Sequence, residues 1–328
     1  MYKNTDLNLN LKMKAVICTK YGNPEVLEIK EVEKPKPKST ELLIKIHYTT
    51  VHIGDTKIRK LEPGMGKWKD LIIKTMMRIL IGFTKPRKKI LGMEFSGVIE
   101  DVGKNTTKFK IGDLVFGSTQ LNFGTYAEYC CVSENSIIST LPKNMSLKET
   151  APLSNASITA LYYLRKAKIS KGKKVLIYGA SGSVGTYAIQ IAKYFKTTVT
   201  GVCSDKNIEM VKSLSANKVI NYKTENFTEN NETYDIIFDA VGKIPLKKRK
   251  ISLSDNGIYV NVMSDNFKMK IEDLDFIKEI CEKGELKTQI DKVYTLEQIV
   301  DAHKYVDKGH KKGNVIINIK EHKYKLGN

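Results

Sequence analysis

Three glycines, Gly179, Gly182 and Gly185, stand three residues apart in the segment KKVLIYGASGSVGTYAIQIAKYF, residues 173–195. The run VLIY before them is typical of a short buried strand, and the apolar residues after them repeat at helical spacing. Glycines in a strand–turn–helix unit let the backbone approach a phosphate closely, and the N–H groups that open the helix attract its charge. The segment therefore predicts the diphosphate site of a dinucleotide.

The spacing of this turn, G-x-x-G-x-x-G, is one residue wider than the common G-x-G-x-x-G, so its context matters. TTVTGVC, residues 197–203, follows the helix as a second strand and completes a βαβ unit. Serine hydroxyls in the turn add hydrogen-bond donors. The cofactor-binding residues predicted here are Gly179, Ser181, Gly182, Ser183, Val184 and Gly185.

The residues after the second strand bear on which dinucleotide binds. Ser204 stands at the expected tip, Lys206 can reach a 2′-phosphate, and Tyr222 follows the third strand. A serine and a lysine suit the extra phosphate of NADPH, whereas a carboxylate suits the ribose hydroxyls of NADH. Asp205 would favour NADH if the strand ended one residue later. We expect NADPH.

The composition bounds the class of protein. The chain has 328 residues, of which 41% are hydrophobic, and a net charge of +19. This length indicates two domains. The basic residues are nearly all lysines spread along the chain, with one dense run at Lys247–Lys250. Since no nucleic-acid recognition motif accompanies them, we expect a solvated basic surface and no nucleic-acid partner.

Cysteine usage and the amino terminus indicate the compartment. The five cysteines show no C-x-x-C spacing, and MYKNTDLNLNLK has no apolar core of a secretory signal. An odd number of cysteines in this context indicates reduced thiols in a cytoplasmic protein. The most apolar stretch outside the strands, Leu71–Phe83, contains Lys74 and Arg78 and is too short to span a bilayer. It predicts an amphipathic surface helix and no membrane partner.

The pattern along the chain predicts an α/β fold with two kinds of region. Residues 13–140 contain short alternating runs separated by glycine and proline, which are typical of strands. From Leu147 helices alternate with strands, which implies a parallel, doubly wound sheet, and from about Gln289 short strands return. We expect one domain from residues 1–146 with 289–328, and a second from residues 147–288.

Several motifs together resemble the zinc-free quinone oxidoreductase group of the medium-chain dehydrogenase/reductases, close to zeta-crystallin. They are MKAVICTKYGNPEVLEI, HIGDTKIRK, ILGMEFSGVIEDVG, KFKIGDLVFG, GTYAEYCCV, GASGSVG and AHKYVDKGHKKGNVIINI. The resemblance covers nearly the whole chain. It implies a GroES-like β domain built from both ends, a Rossmann domain between them, and an active-site crevice where the two meet.

The resemblance also implies site residues. His52, Lys57 and Met93 are expected in the substrate pocket, and Thr159 beside the nicotinamide. His52 is the candidate catalytic residue because an ordinary imidazole pKa of about 6.5 suits proton donation, although it could equally be a packed residue. The carboxyl ends of the later parallel strands complete the cofactor site. The residues expected there are Val241, Gly242, Val262 and Met263.

A metal site is not expected. Where zinc relatives have ligands, this chain has His52, Met93 and Asn155, and neither a thioether nor a carboxamide is a good zinc ligand. Two further interpretations concern structure: Asp55 and Arg59 are expected to pair with each other, and Tyr48 to be a core aromatic.

These expectations combine into a function. Without a Lewis acid, reduction of an electrophilic small molecule is easier to explain than oxidation of an alcohol. We therefore expect a zinc-independent, NADPH-dependent reductase of a quinone or an α,β-unsaturated carbonyl. The alternatives are a zeta-crystallin-like RNA-binding protein and an enoyl-thioester reductase. The short segment 264–272 weakens the inference of a homodimer through the sheet edge, because it leaves only NFKMK as a candidate edge strand.

Overall fold

The structure, a computed structural model, describes residues 11–62, 67–263 and 267–319, except for the side chains of residues 67–69. These residues form fourteen strands in three sheets. The strands are β1 (Lys12–Cys18), β2 (Leu27–Glu33), β3 (Glu41–Thr50), β4 (Glu94–Val102), β5 (Leu114–Ser118), β6 (Tyr129–Ser133), β7 (Ile137–Thr140), β8 (Lys174–Tyr178), β9 (Thr198–Cys203), β10 (Lys218–Asn221), β11 (Tyr234–Asp239), β12 (Leu253–Asn261), β13 (Ile290–Thr295) and β14 (Asn314–Asn318).

Nine α-helices lie between these strands in the described part of the chain. They are α1 (Ile53–Lys60), α2 (Lys67–Ile81), α3 (Leu147–Thr150), α4 (Leu153–Lys166), α5 (Ser183–Tyr194), α6 (Ile208–Ser213), α7 (Leu246–Ser252), α8 (Ile271–Glu282) and α9 (Ile299–Asp307). None of the helices in these ranges has both the length and the apolar composition needed to cross a bilayer.

The first domain is a β domain assembled from both ends of the chain. Its seven-stranded sheet has the order β13-β14-β3-β4-β5-β7, with β6 paired to β3, and β1 and β2 form a separate hairpin. Alternate residues of β3, such as Leu42, Ile44 and Ile46, are buried because successive side chains point to opposite faces. β14 pairs antiparallel with β3 and so joins the C-terminal segment to this sheet.

The second domain is a parallel five-stranded sheet with the order β10-β9-β8-β11-β12. Val175 and Ile177 of β8 pack under helices α4, α5 and α8, whereas Leu176 faces the opposite side with Phe227 and Ile244. Apolar residues on both sides explain why these strands read as continuous hydrophobic runs. The predicted parallel sheet is confirmed, while the domain limits 1–146, 147–288 and 289–328 stay a prediction.

One structural interpretation was wrong. Arg59 pairs with Asp307 of α9, at 2.5 Å, and not with Asp55. Asp55 instead accepts a hydrogen bond from the backbone N–H of His52, at 2.9 Å. Asp55 is the third residue of α1, where its carboxylate caps the start of its own helix and is not directed to Arg59. Tyr48 is half-buried in β3.

The predicted edge strand NFKMK is also not observed in its described part, residues 267–270. Phe267 packs on Tyr162 of α4, with ring centroids 4.9 Å apart, and this contact replaces strand pairing. β12 is therefore the last strand at this side of the sheet. Residues 264–266 lie outside the described residues, and the homodimer stays a prediction.

Candidate active site

The glycine turn between β8 and α5 has the shape that the sequence predicts. Gly179 has a φ of +82°, in the left-handed region that glycine tolerates. A Cβ on Gly185 would lie 2.2 Å from the carbonyl oxygen of Gly179, so the helix can pack against the turn only without a side chain there. At Gly182 the nearest atom to such a Cβ is 3.6 Å away. A Cβ at position 182 would therefore make only ordinary van der Waals contact.

The segment before β14 closes one side of this turn. Gly313 donates its N–H to the carbonyl of Ser181 at 2.9 Å, and its own carbonyl accepts from the hydroxyl of Ser183 at 2.8 Å. Lys311 donates to the same carbonyl at 2.8 Å and also to the hydroxyl of Ser183. Lys312 donates to the carbonyl of Lys206 at 3.3 Å. The β domain thus places two lysines beside the turn.

Lys311 is in an unusual electrostatic position. Burial lowers the pKa of its ammonium to about 8, although the carboxylates of Glu94 and Asp291 favour the charged form. The ammonium also lies at the N-terminus of α5, where the helix dipole is positive. Two positive features side by side are unfavourable unless an anion is bound between them. A diphosphate would supply that anion, so the site fits a dinucleotide.

The tip of β9 has a serine and a neutralised carboxylate. β9 ends at Cys203, which places Ser204 at its tip. Asp205 forms an ion pair with Lys223 at 2.9 Å. Asn207 donates to the hydroxyls of Ser181 and Ser204, each at 3.1 Å, and so connects the tip to the glycine turn. Lys206 and Tyr222 are exposed. They follow β9 and β10, which are neighbouring strands of the parallel sheet.

The ends of β11 and β12 lie against the same turn. Asp239 accepts hydrogen bonds from the N–H groups of Val241 and Gly242, at 2.9 and 2.7 Å, and fixes the loop after β11. A Cβ on Gly179 would lie 2.5 Å from the side chain of Val241. Met263 is 43% exposed at the end of β12, next to Val262. The predicted cofactor residues from three strands are therefore brought to one edge.

His52 serves first as a helix cap. Its Nδ1 accepts a hydrogen bond from the N–H of Gly54 at 3.0 Å, at the start of α1. Since Nδ1 is an acceptor, the neutral ring has its proton on Nε2, an assignment from this hydrogen bond. Burial, with the charges of Lys311 and Lys57, lowers the pKa of His52 to about 3. The expected pKa near 6.5 is thus wrong, because desolvation and two lysines oppose protonation.

Lys57 and Met93 lie near His52, the residue that caps the start of α1. Lys57 is half-buried, and burial lowers the pKa of its ammonium. Met93 is 9% exposed, and its methyl group would lie 2.8 Å from a Cβ on Gly54. The predicted pocket residues are thus brought together at this corner of the β domain. Thr159 on α4 is half-buried and donates to the carbonyl of Asn155 at 2.6 Å.

Glu94, the first residue of β4, lies beside Asn155, one of the positions where zinc relatives have a ligand. It is buried and accepts hydrogen bonds from Thr50 at 2.8 Å, Ser154 at 3.0 Å and the N–H of Asn155 at 2.7 Å. The carboxamide of Asn155 is itself bonded to Ser118, at 2.8 Å. No cluster of three His, Cys, Asp or Glu side chains suited to a metal is found in residues 11–62, 67–263 and 267–319. The donor set of His52, Met93 and Asn155 does not fit zinc.

Lys311, Lys312 and Asn207 are residues of this site that sequence reasoning missed. Lys311 follows Ser183 by 128 residues, so no local pattern connects them. The only signal in the sequence was the motif GHKKGN, in which two consecutive lysines stand just before β14.

Two family models match the chain. Residues 38–143 match the alcohol dehydrogenase GroES-like domain, and residues 262–317 match the zinc-binding dehydrogenase domain. The 2-methylene-furan-3-one reductase of Solanum lycopersicum is 30% identical over 96% of this chain and 81% of its own length. The NADPH-dependent alkenal/one oxidoreductase of Arabidopsis thaliana is 27% identical over 95% of this chain and 81% of its own.

A solved structure agrees with these relatives. The quinone oxidoreductase from Coxiella burnetii superposes with a TM-score of 0.78 at 26% identity, and the match covers 94% of this chain and all of that one. The GroES-like β domain and the Rossmann-like parallel sheet are thus both confirmed. The chain belongs to the medium-chain dehydrogenase/reductase family of oxidoreductases, in the group of the quinone and alkenal/one oxidoreductases.

Proposed function

We propose that this chain is an NADPH-dependent, zinc-independent reductase that transfers hydride to a quinone or an α,β-unsaturated carbonyl. The observation that supports it most is the convergence of Lys311 with the N-terminus of α5 at the glycine turn. Two positive features at the start of one helix favour a diphosphate. The tomato relative is a 2-methylene-furan-3-one reductase and the Arabidopsis relative is an alkenal/one oxidoreductase. Both names denote activated alkenes, the substrate class proposed here.

The preference for NADPH is supported by the end of β9. Ser204 provides a hydroxyl at the tip, and Lys206 and Lys312 provide cations close to it. The carboxylate that would suit NADH, that of Asp205, is engaged by Lys223. A dianionic 2′-phosphate is favoured by cations and disfavoured by a free carboxylate.

NADPH, when bound, supplies the hydride that reduces the electrophilic carbon. The protein's part is to orient the acceptor and to stabilise the negative charge that forms on its oxygen. Neutral His52 can donate the proton on Nε2 as a hydrogen bond to that oxygen, without becoming protonated. Lys57, beside it in α1, adds a positive charge to the same corner. Met93 supplies an apolar wall.

Zinc independence is supported by the donor set of this chain. Met93 and Asn155 replace ligating residue types, and Asn155 is already hydrogen-bonded through its side chain and backbone. The test is NADPH consumption with a simple quinone and a simple enone, before and after dialysis against a strong chelator. We expect turnover that the chelator leaves unchanged. Loss of turnover on chelation, restored by zinc, would contradict this part of the proposal.

Lys206→Ala tests the cofactor. Loss of one charge-assisted contact should weaken NADPH binding by roughly 1.5–3 kcal/mol and leave NADH binding unchanged. Equal weakening of both would reject the assignment of Lys206 to the 2′-phosphate. Absence of affinity for either nucleotide would reject the function.

Two alternative functions can be tested with the same protein. Turnover of crotonyl-type thioesters in preference to quinones would favour an enoyl-thioester reductase. RNA binding that NADPH displaces, without turnover of any acceptor, would favour the zeta-crystallin-like alternative, for which the net charge of +19 is the support. We also propose a cytoplasmic location and a homodimer.

A further inference from the structure

Helix α2 exposes apolar side chains to solvent. Ile72, Met76, Ile79 and Leu80 repeat at helical spacing and lie on one side of the helix. They are 65%, 56%, 53% and 71% exposed, respectively. We call these four side chains the α2 face. A continuous row of this kind is unusual on the surface of a monomer and indicates a surface that binds something.

The helix itself is fixed to the β domain by a different side. Met77 and Ile81 pack on the hydrophobic core of that domain. At the C-terminal end of the helix, Tyr21 donates its hydroxyl to the carbonyl of Gly82, at 2.7 Å. The N–H of Arg87 donates to the carbonyl of Ile81 at 2.6 Å. The α2 face is therefore presented by an anchored helix, and its four side chains are not needed to hold it.

The helix and the loop that follows it carry a net positive charge. Residues 67–89 contain eight lysines and arginines and one carboxylate, that of Asp70. Arg78 and Arg87 are both close enough to Tyr21 to oppose the rise of its pKa that burial causes. Both guanidinium groups therefore lie near the C-terminal end of the helix, where Tyr21 binds Gly82. Lys85 and Lys88 are exposed just beyond.

We propose that the α2 face docks on the surface of a bilayer that contains anionic lipid. An anchored helix with an exposed apolar row, followed by a loop rich in exposed cations, can lie in the plane of the headgroups, with the apolar row buried and the loop cations at the phosphates. Its fifteen residues span about 22 Å, enough for several headgroups. This is a contact with a membrane surface, and it needs no helix that spans the bilayer.

Charge decides between a lipid surface and a second copy of the chain. A symmetric dimer through the α2 face would bring two sets of these cations together, which costs Coulomb energy in every register. An anionic surface turns the same charges into attraction. A row of apolar side chains without a groove also suits a planar surface better than a shaped protein partner.

The test is sedimentation of the full chain with vesicles of phosphatidylcholine, with and without phosphatidylglycerol, at low and high salt. We expect binding only to the vesicles with phosphatidylglycerol, weakened by salt. The double substitution Ile72→Glu and Ile79→Glu should weaken it roughly tenfold or more, because two apolar groups are replaced by like charges of the lipid. The matched control is Ile111→Glu with Leu246→Glu, at positions 60% and 62% exposed, in the loop between β4 and β5 and at the start of α7. Leu246 directly precedes the basic run Lys247–Lys250.

Several outcomes would overturn the proposal. They are absence of vesicle binding, binding without preference for phosphatidylglycerol, and equal weakening by the control pair. A dimer in light scattering that the α2 substitutions dissociate, without vesicle binding, would assign the face to a second copy. Binding to polyglutamate that the α2 substitutions abolish, without vesicle binding, would assign it to an acidic protein. If the double variant melts early, Leu80→Gln replaces it, because Leu80 is the most exposed of the four.

Discussion

The ammonium of Lys311 donates a hydrogen bond to the hydroxyl of Ser183, the first residue of α5. One residue belongs to the β domain and the other to the domain of the parallel sheet, so this contact joins the two at the glycine turn. The contact places a cation at the positive end of a helix. That arrangement is unfavourable in isolation and becomes favourable when an anion binds.

Replacing Lys311 should therefore affect nucleotide binding with a characteristic pH dependence. Lys311→Met should weaken NADPH binding by roughly 1.5–3 kcal/mol, about 10- to 150-fold, because one charge-assisted contact is lost. In the unmodified protein NADPH affinity should fall above pH 8, since the pKa of Lys311 is lowered to about 8. Titration calorimetry across this pH range measures both effects.

The matched control for this prediction is Lys311→Arg. Arginine keeps its charge at every pH used, so the decline above pH 8 should disappear while affinity at neutral pH is largely kept. A decline that persists unchanged in Lys311→Arg would show that another group titrates.

Two glycines of the turn should respond differently to alanine. Gly185→Ala places a Cβ 2.2 Å from a backbone oxygen, and overpacking against backbone should cost about 1–3 kcal/mol of unfolding free energy. Gly182→Ala has room for its Cβ, so stability should be unchanged, but the methyl group occupies the space expected for the diphosphate. Urea unfolding and NADPH titration separate the two effects. Equal loss of stability in both variants would argue against this geometry.

The ion pair between Arg59 and Asp307 should matter for stability and not for nucleotide binding. The side chain of Arg59 is fully buried and that of Asp307 is 15% exposed, and Arg59 also donates to the carbonyl of Gly22 at 2.5 Å. Asp307→Asn leaves a buried guanidinium without its counter-charge and should cost about 3–5 kcal/mol. Replacing both, as Arg59→Met with Asp307→Leu, should recover much of this loss. NADPH affinity should stay constant in all folded variants, and a change there would contradict the prediction.

His303 should contribute a stability term that depends on pH. It is fully buried and accepts a hydrogen bond from Nε of Arg59 at 3.2 Å. Burial and the charges of Arg59 and Lys60 lower its pKa to about 3. Between pH 6.5 and 3 the unfolded histidine binds a proton that the folded one does not, so its contribution is present above pH 6.5 and is lost as the pH falls.

The measurement is the difference in unfolding free energy between the unmodified protein and His303→Asn as a function of pH. The unmodified protein should lose about 1.4 kcal/mol per pH unit relative to the variant between pH 6 and 4. The comparison with the variant is needed because Asp55 also titrates in this range. Burial raises the pKa of Asp55 to about 7, so its effect on the pH dependence of the unfolding free energy has the opposite sign. Parallel curves for the two proteins would contradict the prediction.

The sequence by itself determined the features that depend on local spacing. The glycines at 179, 182 and 185, the apolar run before them and the helical repeat after them specify a strand, a tight turn and a helix through steric and hydrophobic preferences of neighbouring residues. The alternation of strands and helices after Leu147 specified a parallel sheet for a similar reason. The family motifs along the chain led to the same fold.

Only the tertiary structure decided which distant side chains meet and how their protonation changes. It brought Lys311 to Ser183 and Arg59 to Asp307, pairs separated by 128 and 248 residues. It also lowered the pKa of His52 through burial and two neighbouring lysines. Desolvation and Coulomb interactions depend on distances in space, and residue spacing along the chain does not encode those distances.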